Sequence, residues 1–353
     1  MYFLYLLIAI LLFGVLIAVH EFGHFATAKL TGVKVNEFSI GMGPQLLQKQ
    51  KGETLYSLRL LPIGGYCAME GEDEETGDPR AFTCQPAWKK LLILAAGSVM
   101  NFLFGLVVTL LLMGQVVSFV TPVVAGFMDG FPLEGEQGLM AGDEIVKING
   151  ERVYLFDDVT LLLSRADGPV DLVIRRGGET ITLEDLPLSL AEYEYQGETG
   201  RRYGLVFERR DATLGDRLRL GWNQTLYFLR LTRLGLSDLL HGRAGIGEMS
   251  GVIGIVDTIS SVGAQAQNVV AGLQNVLFFA AFVAVNLAVM NLLPIPALDG
   301  GRIFFVVVNS VFTLLTHKKI DPKYEGYVHT VGFVLLLALM AVVAVGDVWR
   351  IVT

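Results

Sequence analysis

Charge is scarce in this sequence. Only 18% of its 353 residues are Asp, Glu, Lys or Arg, while 52% are hydrophobic. A soluble chain carries about 25% charged residues. The shortfall comes from long uncharged runs and points to a membrane protein. Basic residues are also in the minority: the net charge is −8 and no basic stripe stands out, which excludes a nucleic-acid binder. Cysteine is nearly absent. Cys67 and Cys84 match neither a metal knuckle nor a disulfide framework, and read as ordinary free thiols. The N-terminal apolar run lacks a basic leader, and no small-x-small site precedes His20, so it reads as a retained helix and not a cleaved signal.

What is present in abundance is apolar sequence. A spanning helix needs about 20 mostly apolar residues. Residues 2–19, 91–113, 273–293 (within the uncharged region 258–298) and 330–346 meet or approach this. Residues 301–315 are apolar but short, and follow Pro294, Pro296 and two glycines. They are expected to continue a broken third span or form a re-entrant piece, since irregular backbone at membrane depth is tolerated where protein buries it. About four crossings are therefore predicted. Lys29, Lys34, Lys89 and Lys90 flank the first loop, and Lys318, Lys319 and Lys323 the loop before the last span. With four crossings these fall on one side, the cytoplasm, and only Arg350 is out of place. Both termini and the region 115–257 are then extracytoplasmic.

That region is β-rich in its first half. Ala141-Gly142-Asp143 leads into an alternating strand through Ile145 and Ile148, then an Asn149-Gly150 hairpin signal. Two short strands are expected around Arg176-Gly177-Gly178. Over 212–236, Leu214, Leu218, Trp222, Leu226 and Leu229 recur at helical spacing among arginines. Such a helix lies on a membrane surface or packs on the β-rich domain; its pattern suits both.

The chemistry is carried by H-E-F-G-H at 20–24, which directly continues an apolar run. His20 and His24 stack on one helix face and suit two corners of a Zn²⁺ site, with Glu21 able to reach a water in an open position. A catalytic zinc needs a third protein ligand. Asp299 is the one charge between Thr258 and Gly301, inside N-L-L-P-I-P-A-L-D-G-G at 291–301. Prolines and glycines there allow irregular backbone that brings a short carboxylate to a metal. Asp299 also suits a helix N-cap, and the two roles are compatible. His241 is expected outside the membrane, and His317 and His329 read as interfacial.

The sequence resembles the bacterial site-2 proteases, intramembrane zinc metalloproteases that process membrane-anchored anti-sigma factors. The likeness covers nearly the whole chain. It rests on H-E-F-G-H, on G-M-G-P at 41–44, on P-I-G-G-Y at 62–66 and on the 291–301 run. It implies one Zn²⁺ held by His20, His24 and Asp299, Glu21 as general base and acid, and Asn291 binding substrate or stabilising the oxyanion. It also implies a β-hairpin over 33–70 beside the active site and one PDZ-like domain at about 115–188. Two positions depart from the family pattern: Ser98 and Val252 stand where proline is usual.

The expected fold is an α-helical polytopic membrane protein with a cytoplasmic-side, membrane-associated β-hairpin and one extracytoplasmic PDZ-like β-rich domain. Its divisions are span one at 1–30, a cytoplasmic loop at 31–90, span two at 91–114, and the PDZ-like domain at 115–188. A connector at 189–257, a broken span three at 258–316, a cytoplasmic loop at 317–328 and span four at 329–347 complete it. The expected function is regulated intramembrane proteolysis at the inner or plasma membrane, with single-span anti-sigma factors or remnant signal peptides as substrates and no nucleic-acid partner. A spanning helix has its carbonyls bonded internally and must unwind to be cut; an edge strand from 33–70 suits capture of the unwound segment. A peptidase of soluble peptides fits poorly, because the metal motif continues a span. A non-proteolytic PDZ scaffold or metal carrier has no need of Glu21.

Overall fold

The computed structural model describes residues 2–72, 76–195, 197–243, 245, 251–318 and 322–352; Lys319 and Ser250 lie outside them. The chain divides into two compact units: Met1–Thr109 with Phe228–Thr353, and Leu110–Tyr227.

The first unit is mostly helical. Helix α1 (Tyr2–Thr31) is apolar on every face up to His20 and ends beyond the H-E-x-x-H. Strands β1 (Val35–Lys51) and β2 (Thr54–Met69) form the expected antiparallel hairpin, closed at Lys51↔Thr54. This hairpin is curled. Glu37, Phe38, Ser39 and Ile40 pair on one side with Leu55–Leu58 and on the other with Gly65–Ala68. The doubling back uses Gly41 and Gly64, at φ +84° and +93°, conformations that a side chain would resist. These are the glycines of the G-M-G-P and P-I-G-G-Y motifs. The curl buries the first half of β1 and leaves residues 65–69 as an outer edge.

Phe25 of α1 packs on Phe38 and Tyr56, fixing the hairpin to the helix end. The Pro62 carbonyl sits only 2.1 Å from where a methyl on Gly14 would be. Gly14 lies about 9 Å along α1 from His20, toward the apolar end. The hairpin therefore runs back alongside the apolar run, and it exposes Met42, Leu46, Leu47, Leu60 and Leu61. An apolar surface of that kind suits lipid, not water.

Helix α2 (Ala87–Met113) follows. The second unit begins within it and carries a sheet in the order β10-β3-β4-β6-β7, with β5 paired to β4. The strands are β3 (Ser118–Phe127), β4 (Glu144–Ile148), β5 (Glu151–Arg152), β6 (Val170–Arg176) and β7 (Glu179–Leu186), with helix α3 (Phe156–Ser164) between β5 and β6. The short hairpin β8 (Ala191–Tyr195) and β9 (Glu198–Arg202) then precedes β10 (Leu205–Asp211). Asn149 and Gly150 both take positive φ and turn β4 into β5, as the sequence signal predicts. Val124, Leu139, Ile145, Ile148, Val159, Leu172 and Ile174 form the core of this unit. Its sheet does not stop at residue 188. Strand β10, in the stretch expected to be connector, pairs antiparallel with β3. That pairing joins residues far apart in sequence, and no local pattern announces it.

Helix α4 (Leu214–Leu240) exposes Leu214, Leu218 and Trp222. Within the second unit, Asn223 donates to the Tyr154 carbonyl at 3.3 Å. Further along, in the first unit, Phe228 is buried against Phe278 and Phe282. Helix packing is thus an anchor that the moment alone did not reveal.

Helices α5 (Val252–Ala264), α6 (Val269–Leu292), α7 (Asp299–Thr316) and α8 (Pro322–Val352) complete the first unit. The third apolar segment is broken at 293–298, where Pro294 and Pro296 withhold backbone donors. Among the described residues, five helices are long and apolar enough to cross a membrane, one more than the four crossings expected. The additional one is α7, a separate 18-residue helix. The exposed Phe3, Leu111, Leu335 and Val345 are what a lipid-facing surface requires.

Candidate metal centre

His20 and His24 lie on consecutive turns of α1, with their rings 4.8 Å apart. Asp299 opens α7, directly after the 293–298 break. The break turns the chain so that this carboxylate meets the two imidazoles. His20 Nε2 is 3.1 Å and His24 Nε2 3.3 Å from Asp299 Oδ2, and the two Nε2 atoms are 3.1 Å apart. Ligand atoms about 2.0–2.2 Å from a tetrahedral zinc stand about 3.3–3.6 Å from one another. The three donors need open by only a few tenths of an ångström to hold one.

The surroundings fix which atoms face the centre. His24 Nδ1 is 2.8 Å from the Ile93 carbonyl, which can only accept, so Nδ1 carries a proton and Nε2 is the nitrogen that faces the centre. His20 Nδ1 faces the amide of Asn101 on α2 at 3.3 Å. The Asn101 Oδ1 is buried and, among the described residues, has no partner. Rotating that amide about its last torsion places the oxygen where it accepts from His20 Nδ1, so that Nε2 is the His20 nitrogen presented to the centre. Two imidazole nitrogens and one carboxylate oxygen then converge on one point, and at this spacing they are a donor set that fits zinc.

Space for this cluster comes from α2. A methyl on Gly97 would lie 2.4 Å from His24 Nε2 and 2.6 Å from His20 Cε1. One on Gly23 of α1 would lie 2.4 Å from the Ala96 carbonyl. The helices touch backbone to backbone because both residues are glycine, and this brings Asn101 and the Ile93 carbonyl within reach.

The cluster opens into a cavity of about 530 Å³, lined by Glu21, by Tyr66 to Met69 of β2 and by Ala297 and Leu298 of the break. Glu21 stands on its wall, with Gly65 against its stem. The outer edge of β2 thus passes along this cluster. Glu72 and Arg302 form an ion pair at the cavity's rim, joining the loop after β2 to α7.

The structure thus brings His20, Glu21, His24 and Asp299 together. Asn291 sits in the last turn of α6, half-buried, and does not line the cavity. His329, expected as interfacial, instead reaches the Asp299 loop: its Nδ1 accepts the Ala297 N–H at 3.1 Å. Its ring also approaches Phe305 of α7, 5.4 Å between centroids. Asn101 and Gly97 escaped the sequence reading. An amide inside an apolar span was the available signal, since such groups are costly in lipid and usually partnered. Cys67 and Cys84 are free thiols, Cys67 buried and Cys84 exposed.

A helix-embedded H-E-x-x-H with a carboxylate from a second apolar helix defines a membrane metallopeptidase. Comparison with known proteins agrees: the profile of peptidase family M50 matches residues 8–339. A relative from Clostridium perfringens that carries a zinc metalloprotease name is 38% identical over 348 residues, 98% of each chain. The zinc metalloprotease RasP of Geobacillus kaustophilus is 27% identical over 434 aligned positions, 97% of each chain. The regulator of sigma-W protease RasP of Bacillus subtilis is 27% identical over 425, again 97% of each. The chain belongs to peptidase family M50, the site-2 proteases; it is a membrane zinc metalloprotease.

Proposed function

We propose that this protein cuts peptide bonds within the transmembrane segments of single-span membrane proteins. His20, His24 and Asp299 hold one zinc, Glu21 is the general base and acid, and Asn291 binds the substrate. The observation that carries this reading is the convergence of two imidazole nitrogens and a carboxylate oxygen beside Glu21, in a cavity lined by one edge of β2. The sigma-W regulator among the relatives makes anti-sigma factors the first substrate class to test; remnant signal peptides are the second.

Bound zinc supplies a Lewis acid that acidifies water and polarises the scissile carbonyl. Glu21 takes the proton from the attacking water and passes it to the leaving amide nitrogen. The edge at 65–69 receives an unwound substrate segment as an added strand, satisfying the backbone groups that unwinding frees. Substrates with Gly or Pro in the span unwind at lower cost and are cut faster. Asn291, at the end of α6 and outside the cavity lining, donates its amide to the substrate backbone away from the scissile bond.

In this reading α6 and α7 act as one broken span. That keeps both termini and the Leu110–Tyr227 unit outside the cell and the metal centre toward the cytoplasm, as the Lys distribution favours. The β-rich unit serves as the PDZ-like domain. Its sheet ends at β10, beside α3 through the Phe156–Phe207 ring contact. A peptide end can be added there, or the unit can act as a size filter.

The test is cleavage of a reconstituted single-span anti-sigma-type substrate by wild type and Glu21→Gln, with zinc content measured in both. Cleavage by wild type alone, with zinc retained in both, supports the assignment. Equal cleavage by both overturns it.

A further inference from the structure

The loop that delivers Asp299 is not self-supporting. Among its backbone N–H groups, that of Leu293 donates to Met290 O, that of Ile295 to Leu293 O and that of Leu298 to Ile295 O. Pro294 and Pro296 have none. Ala297 is the exception: its N–H is met from another helix, by His329 Nδ1 of α8 at 3.1 Å. Ala297 is also where the loop departs furthest from ordinary backbone. Its φ is +77°, a left-handed conformation that alanine holds only under constraint. A second contact fixes the same point. One turn beyond His329, a methyl on Gly332 would fall 2.1 Å from Pro296 Cβ, so α8 lies directly against the loop.

We infer that His329 is a positioning residue for the metal centre: its Nδ1 holds Ala297 in the strained conformation that aims the Asp299 carboxylate at His20 and His24. The imidazole performs this as the Nε2–H tautomer, with Nδ1 as acceptor. Without the acceptor, Ala297 relaxes toward negative φ and the carboxylate two residues on turns away. The last helix, which otherwise shows lipid an apolar face, thereby becomes part of the metal site. Contacts of this kind around ligands carry about 10- to 100-fold in metal affinity.

This inference rests on Asp299 being a ligand, and the experiment separates the two. Zinc affinity is measured by competition with a chromophoric chelator on the purified full-length protein, for wild type and His329→Leu, His329→Asn, His329→Gln and Asp299→Ala. Asparagine Oδ1 reproduces the position of Nδ1, whereas the longer glutamine carries its oxygen past it. The expected order is wild type close to His329→Asn, then His329→Gln and His329→Leu about 10- to 100-fold weaker, and Asp299→Ala weakest. Should His329→Leu fail to fold, the Asn and Gln pair alone decides the matter. Equal affinity in those two, or wild-type affinity in His329→Leu, overturns the role of His329. Wild-type affinity in Asp299→Ala overturns the ligand assignment itself.

Discussion

Gly97→Ala is the most demanding test of the metal centre, because it adds one methyl and removes no functional group. That methyl would stand 2.4 Å from His24 Nε2, 2.6 Å from His20 Cε1 and 2.8 Å from His20 Nε2. Comfortable contact is about 3.5 Å, so each imidazole must retreat by about 1 Å or α2 must move. A metal site tolerates about 0.2 Å in its ligand distances. Helix α2 carries the Ile93 and Asn101 contacts to the two imidazoles, so its withdrawal would break them. Overpacking costs about 1–3 kcal/mol. If the metal-bound geometry carries that strain, zinc affinity falls about 5- to 140-fold. Peptidase activity falls further, since about 1 Å of misplacement costs about 10²-fold. The assay is chelator competition on purified protein, together with cleavage of the single-span substrate. Gly346→Ala is the control, with no atom within 4 Å of the added methyl. A Gly97→Ala protein that binds zinc and cleaves like wild type would refute the packing described here.

Two further predictions follow from neighbouring residues. Asn101→Leu removes the acceptor for His20 Nδ1 and should weaken zinc binding about 10- to 100-fold while leaving the helices packed; unchanged affinity would separate Asn101 from the site. At the base of the hairpin, the Lys34 ammonium, with Asn36 and Thr76, holds the Glu70 carboxyl down to about 2 from 4.5. A carboxyl depressed on folding stabilises above its unfolded pKa and loses that contribution as pH falls to its folded one. The melting temperatures of wild type and Glu70→Gln should therefore differ most above pH 4.5 and converge toward pH 2. The pair is near the surface, so the gap is small and shrinks with salt. A gap that widens on acidification would contradict the pairing.

The sequence alone determined the chemistry of this protein. His-Glu-x-x-His at the end of a charge-free helix, and one carboxylate in an otherwise uncharged stretch, are local signals. Lipid makes each charge in such a run expensive enough to be informative. The Asn149-Gly150 turn and the break after Leu292 were also local, written in glycine and proline, whereas the hairpin at 35–69 was expected only from the family resemblance. Tertiary structure decided how those pieces meet. Strand β10 joins the β-rich sheet through a partner far upstream, β3. The hairpin curls until residues 65–69 form an edge on the cavity. Gly97 and Asn101 matter only because α2 lies against α1 at Gly23. His329 reads as interfacial along the chain, yet across the fold it meets an N–H that the loop's own prolines and carbonyls leave unpaired. A one-dimensional pattern records what each residue costs in its own helix; which distant atom repays that cost is set by packing.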